Sequence, residues 1–119
     1  RRRLRALHAD LVLLNRHEAR ALHPGARPPG RGAALDAAEL AALAREIEAV
    51  VVAKGEVDQI TDGTRAWQVP AGHPHLARHG TGDVLAGVAA GLLAQTLPAP
   101  DAAALACHLV GTAGAALAA

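Results

Sequence analysis

The sequence predicts an α/β layered fold, and three features carry that expectation. Two short runs, residues 11–14 and 49–53, are continuously apolar without polar alternation, as suits parallel strands covered on both faces. Two β-prone segments, 57–61 and 64–69, flank Asp62-Gly63, a strong two-residue hairpin signal. Apolar stretches at helical spacing precede and follow them. The order strand, helix, strand, hairpin, helix, helix gives a partly parallel sheet with a hairpin, covered by at least two helices.

Taken in order, residues 2–9 end a helix that leads into the strand at 11–14. Asn15 opens a short helix through Glu18, Ala19 and Ala21 to Leu22. Residues 23–32 are rich in proline and glycine and cannot stay helical. Asp36 with Glu39 three residues on is a capping box in all but its Ser or Thr, and Leu40, Leu43 and Ile47 give helical spacing over 37–48. Lys54-Gly55 follows the strand at 49–53, and residues 70–79 form a loop after the hairpin. A glycine-headed helix covers 83–95, Pro98 and Pro100 break the chain, and Asp101 caps a last helix to about Leu117. Two strands plus a hairpin make a thin sheet, and the strand at 11–14 needs neighbours on both sides. Residues 1–119 therefore read as one partial domain, with sheet partners upstream of residue 1 or in another chain.

Bulk properties narrow the function. A chain of 119 residues is at most one small domain, long enough to bury a core. It opens Arg1-Arg2-Arg3 and contains no methionine, which fits a processed product or a piece of a longer chain. A net charge of +1 creates no strong field for nucleic acid or an acidic membrane. Phe and Tyr are absent and Trp67 is the single aromatic, so no platform exists for stacking single-stranded bases. The core must be built from Ala, Leu, Val and Ile. The lone cysteine, Cys107, excludes an internal disulfide and sits in an alanine-rich run, where it packs rather than attacks. No secretory leader pattern is present, and residues 84–94 are too short and glycine-rich to span a bilayer. A cytoplasmic protein without nucleic-acid or membrane partners is expected.

The chemistry concentrates in Gly80-Thr81-Gly82-Asp83-Val84-Leu85-Ala86-Gly87, a tight loop feeding an apolar helix. First-turn N–H groups of a helix lack intrahelical acceptors, and the dipole adds partial positive charge there. Glycines let a phosphate approach that backbone without Cβ clashes. An aspartate in the same place repels phosphate, so it suits a base that takes the proton of a hydroxyl attacking a phosphoryl group. The plainer reading of Asp83 is a helix cap. Two more clusters fall at strand ends, where α/β proteins collect ligands: Asn15-Arg16-His17-Glu18 and Lys54-Gly55-Glu56-Val57-Asp58. Lys54 is either a solvated strand end or a phosphate ligand. Glu18 is either a helix N-terminal acid or a Mg2+ ligand. His73, His75 and His79 have no nearby thiolate and no spacing that fixes a common face, so they do not make a metal site. Trp67 packs on its strand or flanks an adenine.

The run Gly72-His73-Pro74-His75-Leu76-Ala77-Arg78-His79-Gly80-Thr81-Gly82-Asp83-Val84-Leu85-Ala86-Gly87 resembles, without a gap, the Gly-Asn-Pro-Gly-Met-Ala-x-Gly-Gly-Thr-Gly-Asp-Val-Leu-Ala-Gly of the ATP- or ADP-dependent NAD(P)H-hydrate dehydratases. Gly91-Leu92-Leu93-Ala94-Gln95 and His108-Leu109-x-Gly111-x-Ala113-Gly114 continue the fit. The chain is thus similar to the C-terminal portion of a ribokinase-like fold. The resemblance implies that Asp83 contacts the hydrated nicotinamide and acts as base on its hydroxyl. It implies that the amides of Gly80, Thr81 and Gly82 hold the transferred phosphate, and that Lys54, Gly55, Glu56, Val57 and Asp58 border the adenosine phosphates. Asn15 stands where that family usually has a substrate-touching histidine, as in sugar and thiazole kinases, whose Asn-x-x-Glu pair helps organise Mg2+ and phosphate. The implied reaction phosphorylates NADHX or NADPHX from ATP or ADP, then expels phosphate to regenerate NAD(P)H. A homo-oligomer is compatible with this assignment.

Hydroxyethylthiazole kinases are a second resemblance, through Gly55-Glu56-Val57-Asp58, Thr61-Asp62-Gly63 and Gly72-His73-Pro74. They usually carry Gly-Thr-Gly-Cys, so Asp83, the ungapped loop and Lys54-Gly55 favour the dehydratase. A small-alcohol kinase and a non-catalytic nucleotide-binding remnant stand as the alternatives.

Overall fold

The computed structural model describes residues 1–23, 35–70 and 81–118. Helix α1 (Arg2–Ala6) leads to strand β1 (Leu11–Leu14), then α2 (Arg16–Leu22), α3 (Ala37–Ile47) and β2 (Val50–Ala53). The hairpin strands β3 (Asp58–Thr61) and β4 (Ala66–Val69) precede α4 (Thr81–Ala94) and α5 (Ala99–Ala118). The sheet order is β1-β2-β3-β4. Strands β1 and β2 run parallel, while β3 pairs antiparallel with both β2 and β4. This is the mixed, helix-covered α/β sheet the sequence predicts, consistent with a ribokinase-like fold.

Why the β1 and β2 sequences are apolar throughout is visible in the two cores. Successive side chains of a strand point to opposite faces. Leu14 and Val51 face α2 and α3 and pack with Ala19, Leu40, Leu43, Ala44 and Ile47. Val50, Val52 and Ile60 face α4 and α5 and pack with Leu85, Ala89, Ala103, Ala106 and Cys107. Neither face of β2 meets water, so alternation has nothing to select. Truncating a large member such as Leu43 or Ile60 to alanine costs about 2–5 kcal/mol by leaving a cavity. The outer side of β1 carries no strand among the described residues.

Helix starts follow the sequence closely at α2 and α3. Asn15 and Asp36 each accept from the backbone three residues on, and Glu18 and Glu39 each reach back to the cap N–H, completing both capping boxes. Three expectations need correction. The glycine-headed helix begins at Thr81, not at residue 83, so Asp83 is its third residue. The last helix begins at Ala99, so Asp101 lies inside the first turn and is not the cap. The reason is common to both: an acid favours the helix dipole anywhere in the first turn, not only at the cap. Pro100 fits there because a first-turn residue needs no N–H. Pro98 Oxygen accepts from the Ala102 N–H at 2.9 Å and starts the ladder.

The hairpin turn is also shifted by one residue: Thr61 pairs with Ala66 and the Asp62 N–H donates to the Arg65 carbonyl at 3.3 Å, which leaves Gly63 and Thr64 at the tip. Asp62 Oδ1 accepts from Thr64 N at 2.9 Å and Arg65 N at 2.7 Å, closing an Asx-type turn that Asp-Gly alone does not reveal. Gly63 has φ +97°, and a Cβ there would meet Arg45 Cγ at 2.7 Å. Only glycine suits that position.

Candidate functional site

Parallel pairing of β1 with β2 places their carboxyl ends side by side, and the Lys54 N–H donates to the Leu14 carbonyl at 2.9 Å. Asn15 therefore follows one strand end and Lys54 the other, the position where α/β sheets bind ligands. The head of α4 joins them. A Cβ built on Gly82 would lie 3.4 Å from Lys54 Nζ, so the ammonium rests against the glycine of the first turn. Sequence reasoning proposed Lys54 and Gly82 as phosphate neighbours from separate motifs. The structure brings these two together.

A positive side chain, the first-turn amides of Gly82 and Asp83, and the positive end of the α4 dipole thus converge on one place. The exposed carboxylate of Asp83 sits in the same turn. Chemically the set can attract an anion and hold a proton acceptor beside it. Gly80 and the histidines at 73, 75 and 79 lie outside the described residues. One signal went unread in the sequence: Lys54 is the single lysine against eleven arginines.

Beyond Lys54, Gly55, Glu56 and Val57 are exposed and line a cleft of about 250 Å³ with Arg16, Leu35 and Gln59. Asp58 behaves differently from its loop neighbours. It is 8% exposed, and its Oδ1 accepts from Gly55 N at 3.1 Å. Burial raises its pKa, opposed in turn by the Gly55 N–H, a side-chain hydrogen bond from Cys107 and the charge of Lys54. Burial and the neighbouring Asp58 push the Cys107 thiol up to about 12. Asp58 therefore turns inward, away from its exposed loop neighbours. Cys107 is buried, as its alanine-rich setting implies.

Asn15 and Glu18 are engaged with each other. Asn15 Oδ1 accepts from Glu18 N at 2.8 Å, while Asn15 N and Nδ2 donate to the Glu18 carboxylate at 3.1 and 3.0 Å. Both carboxylate oxygens of Glu18 are used, and no three His, Cys, Asp or Glu side chains converge as a metal site among the described residues. Trp67 packs against the α4 and α5 side of the sheet, with the Arg65 guanidinium 5.2 Å over its ring.

A mixed α/β sheet whose parallel strands end at a lysine and a glycine-bearing helix head is consistent with the ribokinase-like class. The family model described as carbohydrate kinase, NAD(P)H-hydrate dehydratase, matches residues 31–119, and the chain belongs to that family. It is 42% identical over 72 residues to an ADP-dependent (S)-NAD(P)H-hydrate dehydratase of Cenarchaeum symbiosum, covering 60% of this chain and 25% of that protein. It is 40% identical over 93 residues to a bifunctional NAD(P)H-hydrate repair enzyme of Methanospirillum hungatei, covering 78% of this chain and 18% of that one. A hydroxyethylthiazole kinase of Salmonella newport is 45% identical over 83 residues, which are 69% of this chain and 31% of the kinase. The chain spans less than a third of the length of each of these relatives. Among the described residues, no helix is long and apolar enough to cross a membrane.

Proposed function

We propose that this chain supplies the phosphate-handling part of an NAD(P)H-hydrate dehydratase that uses ATP or ADP. The observation that carries the reading is the Lys54 ammonium lodged against Gly82 in the same helix turn as Asp83. The hydroxyl at C6 of NADHX or NADPHX gives its proton to Asp83 and attacks the terminal phosphorus of the nucleotide. The bond from that phosphorus to the bridging oxygen breaks, and the nucleotide leaves shortened by one phosphate. Lys54 and the amides of Gly80, Thr81 and Gly82 balance the charge on the phosphoryl oxygens. The C6–O bond then breaks with loss of the C5 proton, releasing phosphate and restoring the dihydronicotinamide. Phosphate leaves where hydroxide would not. Residues 54–57 border the nucleotide, and Asn15 orients the substrate at the neighbouring strand end.

The test supplies the full chain with NADHX and either ATP or ADP and follows absorbance of the reduced nicotinamide. Recovery of that band, with one phosphate released per turnover, supports the reading. Nucleotide consumption with a thiazole alcohol and no recovery of the band favours the kinase, which the 45% identical Salmonella relative keeps in play. A folded chain that binds no adenine nucleotide is the non-catalytic remnant.

A further inference from the structure

Two hollows open at opposite ends of the parallel strand pair, and their charges differ. The one at the amino ends, lined by His8, Asp10, Glu48 and Asp62, has three acids and no Lys or Arg. The cleft at the carboxyl ends has two cations, Arg16 and Lys54, against one acid, Glu56. The cations come from adjacent strand ends: Leu14 pairs with Ala53, Lys54 follows β2 directly, and Arg16 opens α2 just past Asn15. Ala19 and Leu35, both buried, line the same cleft, so charge is felt there in a lower dielectric than in open solvent.

Arg16 is exposed and stands in the first turn of α2, where the helix dipole disfavours a positive charge. Its charge is therefore not explained by the helix it begins. Glu18, the acid of that turn, has both carboxylate oxygens on Asn15. Among the described residues, no acid lies within ion-pair distance of the Lys54 ammonium.

We propose that Arg16 is a second phosphate-binding residue, and that Arg16 and Lys54 together hold a diphosphate group in this cleft. The guanidinium offers parallel N–H donors that match two phosphate oxygens, while the ammonium supplies a point charge against Gly82. Lys54 serves the phosphate at the head of α4, and Arg16 serves the one joined to it. Glu56 lines the same cleft and weakens its pull on any anion. The preference for a diphosphate belongs to the cleft itself. Only its assignment to ATP or ADP rests on the proposed dehydratase function.

Calorimetric titration of the full chain with ADP, ATP, inorganic pyrophosphate and adenosine tests this. In Arg16→Gln, affinity for ADP, ATP and pyrophosphate is expected to fall roughly tenfold, while that for adenosine stays level. Arg16→Lys recovers only part of the loss, because an ammonium cannot make the paired bonds. Glu56→Gln tightens pyrophosphate by roughly twofold, the scale of an exposed charge pair. The thermal midpoint of Arg16→Gln stays level or rises, since a charge opposed by the dipole has been removed. Unchanged pyrophosphate and nucleotide affinity in both Arg16 variants would overturn the proposal. So would an equal loss for adenosine, or a fall in midpoint that tracks the loss.

Turnover separates this inference from the reading it extends. A parent that restores NADHX, with an Arg16→Gln variant whose KM for nucleotide is unchanged, would sink the role of Arg16 and leave the dehydratase standing. Arg16-dependent pyrophosphate binding in a parent that binds no nucleotide would do the reverse.

Discussion

Helices α2 and α4 both begin at the carboxyl end of the sheet, yet their heads are built for different ends. The α2 head is closed by its own chain: Asn15 and Glu18 exchange three hydrogen bonds and leave neither side chain idle. The α4 head has a glycine as its second residue, with a lysine ammonium pressed against it and an exposed acid next in line. Both show an acid near a helix start. The difference lies in what the acid meets: Glu18 completes a box, while Asp83 shares its turn with a group that attracts anions. A capping residue stabilises a helix, whereas a glycine with a lysine beside it leaves the first-turn amides open to the anion proposed above.

The sharpest way to break this comparison is Asp83→Asn. Turnover is expected to fall about a thousandfold, within the range for losing a general base, while nucleotide Kd moves less than about threefold. Equal loss of binding would return Asp83 to the class of caps, alongside Glu18. Next in size is Gly82→Leu. Its side chain displaces Lys54 Nζ, and nucleotide affinity measured by calorimetry should drop by roughly tenfold to a hundredfold, the worth of a charged hydrogen bond.

Stability variants probe the closed side. Gly63→Ala forces a non-glycine residue to φ +97° against Arg45, and chemical denaturation should show a loss of about 1–2 kcal/mol with nucleotide affinity retained. Asn15→Ala opens the α2 box and should cost about 1 kcal/mol. If that variant instead keeps its stability and loses turnover, Asn15 is a substrate ligand first and a cap second.

The smallest effects are in pH. Asp62 is held below 3.8 by the Arg65 and Thr64 N–H groups, so its contribution is present above 3.8 and disappears as pH falls through the lower folded value. Asp58 is raised above 3.8 by burial, so its preference for the folded state is full below 3.8 and fades as pH rises through the raised value. The thiol of Cys107 adds an alkaline limb. Stability is full below pH 9.0 and declines as pH climbs toward about 12. Unfolding midpoints across pH should show Asp62→Asn flattening the acid limb and Cys107→Ser flattening the alkaline one.

Much of this architecture was legible in the residues because it depends on local rules. Continuous Val and Leu runs suit strands covered on both faces, and Asp36 with Glu39 spells its cap in the chain itself. Helix starts at Thr81 and Ala99 were less legible, since an acid suits the cap and the first turn alike. The turn at residues 62–65 depends on where Asp62 finds its donors, which sequence spacing does not encode. Lys54 and Gly82 were each recognisable, but their approach is set by how α4 lies over the sheet. The inward turn of Asp58 was hidden for the same reason. Its partner, Cys107, is 49 positions away and reaches it only once α5 has docked.

Trp67 has a practical consequence. With no tyrosine or phenylalanine in this chain, ultraviolet absorbance and emission arise from one indole, sandwiched between a cationic lid and the helical layer. That layer carries the helix head, so any ligand that shifts α4 alters the surroundings of a solitary fluorophore. The fold comes with its own optical gauge, needing no dye and free of energy transfer from other rings.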